Sequence, residues 1–270
     1  MSKLVLVTGA TDGIGKMTAL RLAADGYEVI IHGRDQNRVD ATVAEIQKQT
    51  SARLHASVFD LSSLADVRSA AQDLLRRFPK LDILLNNAGT YQKERHLSKD
   101  GFELTMAINH LGPTLLTLLL KPSLKHSPQA RVIFVSSVAH NRGRLEKGNY
   151  NFEKSFGAYE AYATSKLANV ITVRELAQSW KPDGISIYSL HPGVITTKLL
   201  KIGFNTTGDS VHNGSNTSVF LATAHLPAEA NGEYYVDSKI APISPLARNK
   251  SETDAFWAWT MSSLQPFLSK

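Results

Sequence analysis

The chain has 270 residues, 43% hydrophobic and 20% charged, with no cysteine and a formal net charge of +6. That balance is ordinary for a globular protein and leaves room for one large α/β domain or two small ones. The absence of cysteine excludes disulfides and thiolate chemistry. The longest apolar stretch, near Leu115 to Leu120, is far short of the roughly 20 residues that cross a bilayer.

No signal-type segment precedes the first apolar run, so no membrane span and a cytoplasmic location are expected. The positive charge is compatible with nucleic acid or a membrane surface. The basic residues are spread out, however, and the densest cluster, Arg142-Gly-Arg144 with Lys147, has no interleaved aromatics. A solvated surface and no nucleic-acid partner are the expectation.

Leu4 to Val7 is a short apolar run, as in a strand buried on both faces of a parallel sheet. Three glycines follow, Gly9, Gly13 and Gly15, and then Lys16 to Ala24 with helical spacing. Strand, glycine turn and helix together suit a phosphate: glycine allows close backbone approach, and the helix N-terminus offers free N–H groups. The spacing Gly-x-x-x-Gly-x-Gly departs from the general Gly-x-Gly-x-x-Gly fingerprint, and by itself it also fits an ordinary loop.

Alternation of strand and helix then continues. Strands are predicted over Glu28–His32, Arg53–Phe59, Leu81–Leu85, Arg131–Val135, Ile185–Leu190 and Glu233–Val236. Helices are predicted over Val39–Gln49, Ser62–Phe78, Gly101–Lys125 with a break at Pro113, and Tyr159–Trp180. This is the pattern of one doubly wound parallel sheet of about seven strands, Rossmann-type, with helices on both faces. No linker divides it, so one domain over residues 1–270 is expected. Two polar stretches, from Ser137 to Tyr162 and from His191 to Asn216, break the rhythm after strand ends, where such sheets bind ligands. A substrate lid over about 191–218 and a docked helical tail over about 246–265, opened by a cap at Ser251-Glu-Thr-Asp254, complete the expected architecture.

The second strand ends His32-Gly33-Arg34-Asp35. A ribose-reading acid is expected about 20 residues beyond the glycines, but Gly33 stands there and Arg34 follows. An arginine can pair with a 2′-phosphate, so NADP(H) is preferred with NAD(H) possible. Asp35 reads as the cap of the next helix. Tyr162 and Lys166, four residues apart, share a helical face, and an ammonium near a phenol lowers its pKa from about 10. Such a pair also arises by chance, and Ser137 after the fifth strand also reads as a cap. Asn109 in mid-helix hints at a side-chain role, whereas His191-Pro192-Gly193 reads as a turn.

In this order, these features resemble the short-chain dehydrogenase/reductase family over roughly residues 3 to 240. Thr8 to Gly15, with Gly9, Thr11, Asp12, Gly13, Ile14 and Gly15, looks like its cofactor loop, and Asp60-Leu61 its adenine contact. Asn86 with Asn87, Ala88 and Gly89 resembles the motif that steadies the sheet beside the cofactor. Asn109, Ser137, Tyr162 and Lys166 match its catalytic tetrad, and Pro192, Gly193, Ile195 and Thr197 the segment holding nicotinamide. Val135 to His140 and Ala161 to Asn169 look most like the retinol dehydrogenase and WW-domain oxidoreductase branch.

The resemblance implies proton exchange between Tyr162 and a carbonyl or alcohol oxygen, with Lys166 on the nicotinamide ribose and depressing the phenol. Ser137 then hydrogen-bonds the substrate oxygen, and Asn109 supports a water. The substrate is expected to be a small carbonyl or alcohol of apolar character, and no metal is implied. The 25 positions from Ser137 to Tyr162 exceed the family's usual dozen or so, which favours a monomer or homodimer over a tetramer. A cofactor-sensing regulator that has lost catalysis is the alternative, as is a sugar-nucleotide epimerase, for which the 80 or so residues after His191 leave little room.

Overall fold

The computed structural model describes residues 2–268. Its strands are β1 (Leu4–Val7), β2 (Glu28–Gly33), β3 (Leu54–Val58), β4 (Ile83–Asn86), β5 (Arg131–Val135), β6 (Ser186–His191), β7 (Tyr234–Val236) and β8 (Lys239–Ile240). They form one sheet in the order β3-β2-β1-β4-β5-β6-β7-β8. All pairings are parallel except the last, which is antiparallel. The chain leaves β1 in one direction to build β2 and β3, then returns to β4 on the other side, and this reversal opens a crevice at the strand ends. β8 is the strand not foreseen. Asp237 (φ 48) and Ser238 (φ 61) make its tight turn without the glycine that usually signals one.

The helices are α1 (Gly13–Ala24), α2 (Gln36–Gln47), α3 (Leu64–Arg77), the single turn α4 (Leu104–Met106), α5 (Gly112–Lys125), α6 (Ala158–Ser179), α7 (Lys198–Phe204), α8 (Val211–Gly214), α9 (Asn216–Thr223) and α10 (Lys250–Leu268). Side chains alternate along each strand, so both sheet faces are apolar. Val5, Val7, Ile31 and Leu190 pack with Leu22 of α1, Ile46 of α2 and Leu221 of α9. Leu6, Ile30, Phe134 and Ile187 pack with Leu74 of α3, Leu115 of α5, Leu176 of α6 and Leu264 of α10. Among the described residues no helix is long and apolar enough to cross a membrane.

Three expectations are corrected. The helix before β5 is not broken at Pro113, which sits in the first turn of α5 where a missing N–H costs nothing. The irregularity is a π-helical turn over Ala107–Leu111, and it carries Asn109. The stretch after β5, read as a polar break in the rhythm, is packed into the body, with Leu145, Tyr150 and Phe152 buried in a subsidiary core with Phe256. α10 begins at Lys250, so Ser251 lies inside its first turn instead of capping it. Asp35 does cap α2, accepting from the Arg38 N–H at 2.9 Å.

His110, on the π turn, anchors α10. Its ring is fully buried and its Nε2 lies 2.9 Å from Thr260 Oγ1, whose own hydrogen is donated to the Phe256 carbonyl. Burial pushes His110 down to about 3 and His32 down to about 4, from the usual 6.5. Both rings are therefore neutral when folded, and their contribution is intact above about pH 6.5 and lost as pH falls through 4 and 3. Stability to urea should thus decrease between pH 6.5 and 4.5, by about 1.4 kcal/mol per pH unit for each such ring. His110→Gln should be less stable at pH 7 with a shallower pH slope. A stability independent of pH across this window would show that the rings are not held neutral.

Candidate active site

The glycine turn is seated by the end of β4. Thr8 Oγ1 accepts from the N–H groups of Asn87 (2.9 Å) and Ala88 (3.1 Å), and Asn87 Nδ2 donates to the Thr8 carbonyl at 2.8 Å. Gly9 (φ +64) and Gly13 (φ +54) take left-handed backbone. A Cβ on Gly9 would lie 2.9 Å from Ala88 Cα, and one on Gly15 would collide with Asn87 Nδ2 and the Gly9 carbonyl. Asp12 caps α1 by accepting from the Gly13 N–H at 2.8 Å. His32 completes the seat: Nδ1 accepts from the Gly9 N–H and Nε2 donates to the Phe59 carbonyl, each at 3.1 Å. The turn is thus a cradle of glycine backbone at a helix N-terminus, with the Asp12 carboxylate on its first N–H.

A cavity of about 690 Å³ extends from this cradle over the strand ends. It is lined by Gly9, Thr11, Asp12, Gly13, Ile14, Gly15, Arg34, Asp60, Leu61, Asn87, Ala88, Gly89, Ser137, Tyr162, Lys166, Pro192, Gly193, Ile195 and Thr197. Two candidate residues lie behind the wall, Asn86, whose Nδ2 donates to Thr117 Oγ1 at 2.9 Å, and Asn109. Asn109 Oδ1 accepts from the Thr90 N–H (2.7 Å), and its Nδ2 donates to the Thr90 carbonyl (3.0 Å) and to Ser165 Oγ (2.9 Å).

On the cavity rim cationic side chains gather around the Asp12 carboxylate. Asp12 meets Lys198 at 2.7 Å and Arg38 at 3.4 Å. The Lys198 hydrogen bond, helped by the Gly13 N–H and by Arg38, holds its carboxyl below the usual range against partial burial. Arg34 lies on the same rim, with no ion-pair partner among the described residues. A Cβ on Gly33 would meet Thr11 Cγ2 at 2.6 Å and Val39 Cγ2 at 2.9 Å. A side chain in that position would require Thr11 and Val39 to move their side chains, which favours glycine there.

Tyr162 and Lys166 project from α6, both buried. Lys166 Nζ donates to the Val135 carbonyl at 2.9 Å, and a methyl on Gly89 would touch it at 3.4 Å and Asn109 Oδ1 at 3.5 Å. The ammonium is 5.7 Å from the centre of the Tyr162 ring. Burial pushes the Tyr162 phenol up to about 12, partly opposed by its hydrogen bond with Ser137, and pushes Lys166 down to about 8. In the protein alone desolvation outweighs the ammonium, the reverse of the expected lowering. Ser136 Oγ donates to the Lys166 carbonyl at 2.7 Å and fixes α6 against the end of β5.

The cavity mouth was not legible in the sequence. Tyr91 lies 5.6 Å from the Tyr162 ring and 5.5 Å from Phe204, and Tyr159 lies 6.0 Å from Phe204. These rings come from three separate segments, and none has a local motif. Arg38 and Arg142 also line the cavity. So does His191, read from sequence as a turn; it is buried, with its Nδ1 unpartnered and its pKa pushed down to about 4 by burial.

The family model for short chain dehydrogenase matches residues 3–206. Retinol dehydrogenase 12 of Bos taurus is 37% identical over 265 residues, covering 94% of this chain and 84% of that protein. Retinol dehydrogenase 11 of Homo sapiens is 35% identical, covering 94% and 83%. Among solved structures, an uncharacterized protein from Mycobacterium Paratuberculosis superposes with a TM-score of 0.80 at 28% identity, covering 97% of this chain and 93% of that one. An NADPH-bound carbonyl reductase from chicken fatty liver shares the fold, with a TM-score of 0.70 at 23% identity, covering 89% and 98%. The chain belongs to the short-chain dehydrogenase family, the NAD(P)-dependent oxidoreductases that act on alcohol and carbonyl groups.

Proposed function

We propose that this protein is an NADP(H)-dependent oxidoreductase that interconverts an apolar carbonyl compound and its primary or secondary alcohol. The observation that carries this reading is the convergence of Tyr162, Ser137 and Lys166 on one cavity that also contains the glycine cradle. The cradle would hold the pyrophosphate, Asp60 and Leu61 the adenine, and Pro192 to Thr197 the nicotinamide half. When bound, the nicotinamide supplies or accepts the hydride.

The chain's own residues manage the proton and the oxygen. A phenol pushed up to about 12 is fully protonated at neutral pH, which makes Tyr162 the proton donor of carbonyl reduction and, in reverse, the acceptor. Ser137 Oγ hydrogen-bonds the same oxygen as negative charge grows on it. Lys166 would hold the nicotinamide ribose, and the bonds from Asn109 to Thr90 and Ser165 hold the wall behind it. The rings of Tyr159 and Phe204, which line the cavity, with Tyr91 packed on Phe204, favour an apolar substrate. The regulator reading has nothing here in its favour, because neither the tyrosine–lysine pair nor the serine is lost.

The first test follows nicotinamide absorbance with a panel of aldehydes, ketones and alcohols, retinol included because the relatives' names point to it. Tyr162→Phe should keep NADPH binding and lose turnover by about a hundredfold or more. A variant that works at near wild-type rate would overturn the assignment.

Cofactor preference is tested on the rim. Charge-assisted bonds from Arg34 to a 2′-phosphate are worth about 1.5–3 kcal/mol, a tenfold to hundredfold preference. Arg34→Leu should lower kcat/KM for NADPH by that factor and leave NADH unchanged. Equal use of both cofactors by the wild type would mean that Arg34 reads solvent.

Assembly is the third test. The segment after β5 covers α6, with Arg144 and Thr164 exchanging hydrogen bonds of 3.1 Å in each direction. We propose that this obstructs pairing through α6 and limits the protein to a monomer or homodimer. A stable tetramer in light scattering would contradict this.

A further inference from the structure

His140 has both ring nitrogens engaged and no exposure to solvent. The Ser244 N–H donates to Nε2 at 3.1 Å. Nε2 therefore carries no proton, and the ring's one hydrogen sits on Nδ1, 2.7 Å from the carbonyl oxygen of Ser137. Burial holds the ring below its usual pKa of 6.5, which favours this neutral form. The ring of Tyr234 closes the remaining side, with centroids 4.6 Å apart.

The position of Ser137 explains why such a clamp matters. Sheet pairing at the end of β5 stops with the Ser136 N–H, which donates to the Leu190 carbonyl at 2.7 Å. Ser137 is the first residue beyond it, and among the described residues its carbonyl accepts from His140, through the ring at 2.7 Å and the backbone N–H at 3.1 Å. Its side chain stands one bond from the same Cα, with Oγ accepting from the Ala139 N–H at 3.1 Å and close enough to Tyr162 to oppose the upward push on that phenol. Any rotation of the Ser137 backbone therefore re-aims its hydroxyl relative to the phenol. Ser244, itself buried, lies in the arm between β8 and α10, outside residues 3–206 of the family match.

We propose that His140 is a positioning residue for Ser137, its Nδ1-protonated ring tying the Ser137 backbone to the arm between β8 and α10 so that this arm sets the aim of the hydroxyl. The inference rests on the reading of Ser137 as the group that meets the substrate oxygen. Misplacing such a group by about 1 Å costs up to about a hundredfold in rate, without any direct effect on cofactor affinity.

The experiment compares Ser137→Ala, His140→Leu and His140→Asn on the carbonyl compound turned over fastest by the wild type, with NADPH affinity measured by fluorescence. His140→Leu should lower kcat at least about tenfold while NADPH affinity stays within about twofold. His140→Asn keeps an N–H where Nδ1 stands and should recover much of the loss, which a mere packing role would not produce. If His140→Leu fails to fold, Ser244 carries the test. Ser244→Pro removes the N–H that fixes the tautomer and should lower kcat, whereas Ser244→Ala keeps that N–H and should not. The inference is overturned if Ser137→Ala is inactive while folded His140→Leu, or Ser244→Pro, keeps wild-type kcat. It is also overturned if His140→Asn is no better than His140→Leu. Full activity in Ser137→Ala would instead overturn the reading of Ser137 on which it rests.

Discussion

The site depends on the knot between Thr8 and Asn87. β1 and β4 are neighbours in the sheet but far apart in the chain, and their pairing ends just where the two turns begin. The Thr8 hydroxyl and the Asn87 amide satisfy backbone groups that neither turn could satisfy alone. This bonding lets the glycine backbone lie directly on Ala88, a fit that any side chain on Gly9 or Gly15 would destroy. Two residues further on, Gly89 lies against Lys166 and Asn109. One junction thus sets the distance from the phosphate cradle to the ammonium.

Beyond this junction the cleft is governed by desolvation. Tyr162, Lys166, His32 and His191 all have pKa values displaced toward their neutral forms, because burial outweighs the few polar partners each one has. The histidines and the phenol are neutral at pH 7 and can be packed tightly where charges could not, whereas Lys166, at about 8, remains largely an ammonium. His32 shows the structural side of this, since a neutral ring can accept from the glycine turn and donate to the end of β3 at once. Lys198, Arg38 and Asp12 lie at the opposite, exposed end, where opposite charges meet in solvent and contribute little stability. The same cleft is therefore buried around Tyr162 and Lys166 and exposed around Asp12, Arg38 and Lys198.

The segments on either side of the cleft differ for a related reason. The stretch after β5 buries Leu145, Tyr150 and Phe152 and is part of the folded body. α7 has no buried side chain, although it contains Leu199, Leu200, Ile202 and Phe204. Its Leu199, Leu200 and Phe204 line the cavity together with Tyr159, so this part of the wall is less buried than the segment after β5.

Much of this architecture was already determined by the sequence. Apolar runs such as Leu4–Val7 and Arg131–Val135 specify strands buried on both faces, and local chemistry such as Asp35 before α2 specifies caps. The glycine spacing and the tyrosine–lysine pair are equally local, so they could be read in one dimension. Elements set by long-range packing could not. The π turn that carries Asn109, the burial of the segment after β5 and the glycine-free hairpin into β8 have no short-range signature. Nor could sequence decide the protonation of Tyr162, because i and i+4 spacing reports a shared face while the pKa reports how much water the fold has removed. The aromatic mouth and the bond from Ser244 to His140 unite residues up to a hundred or more positions apart, and only tertiary structure brings them together.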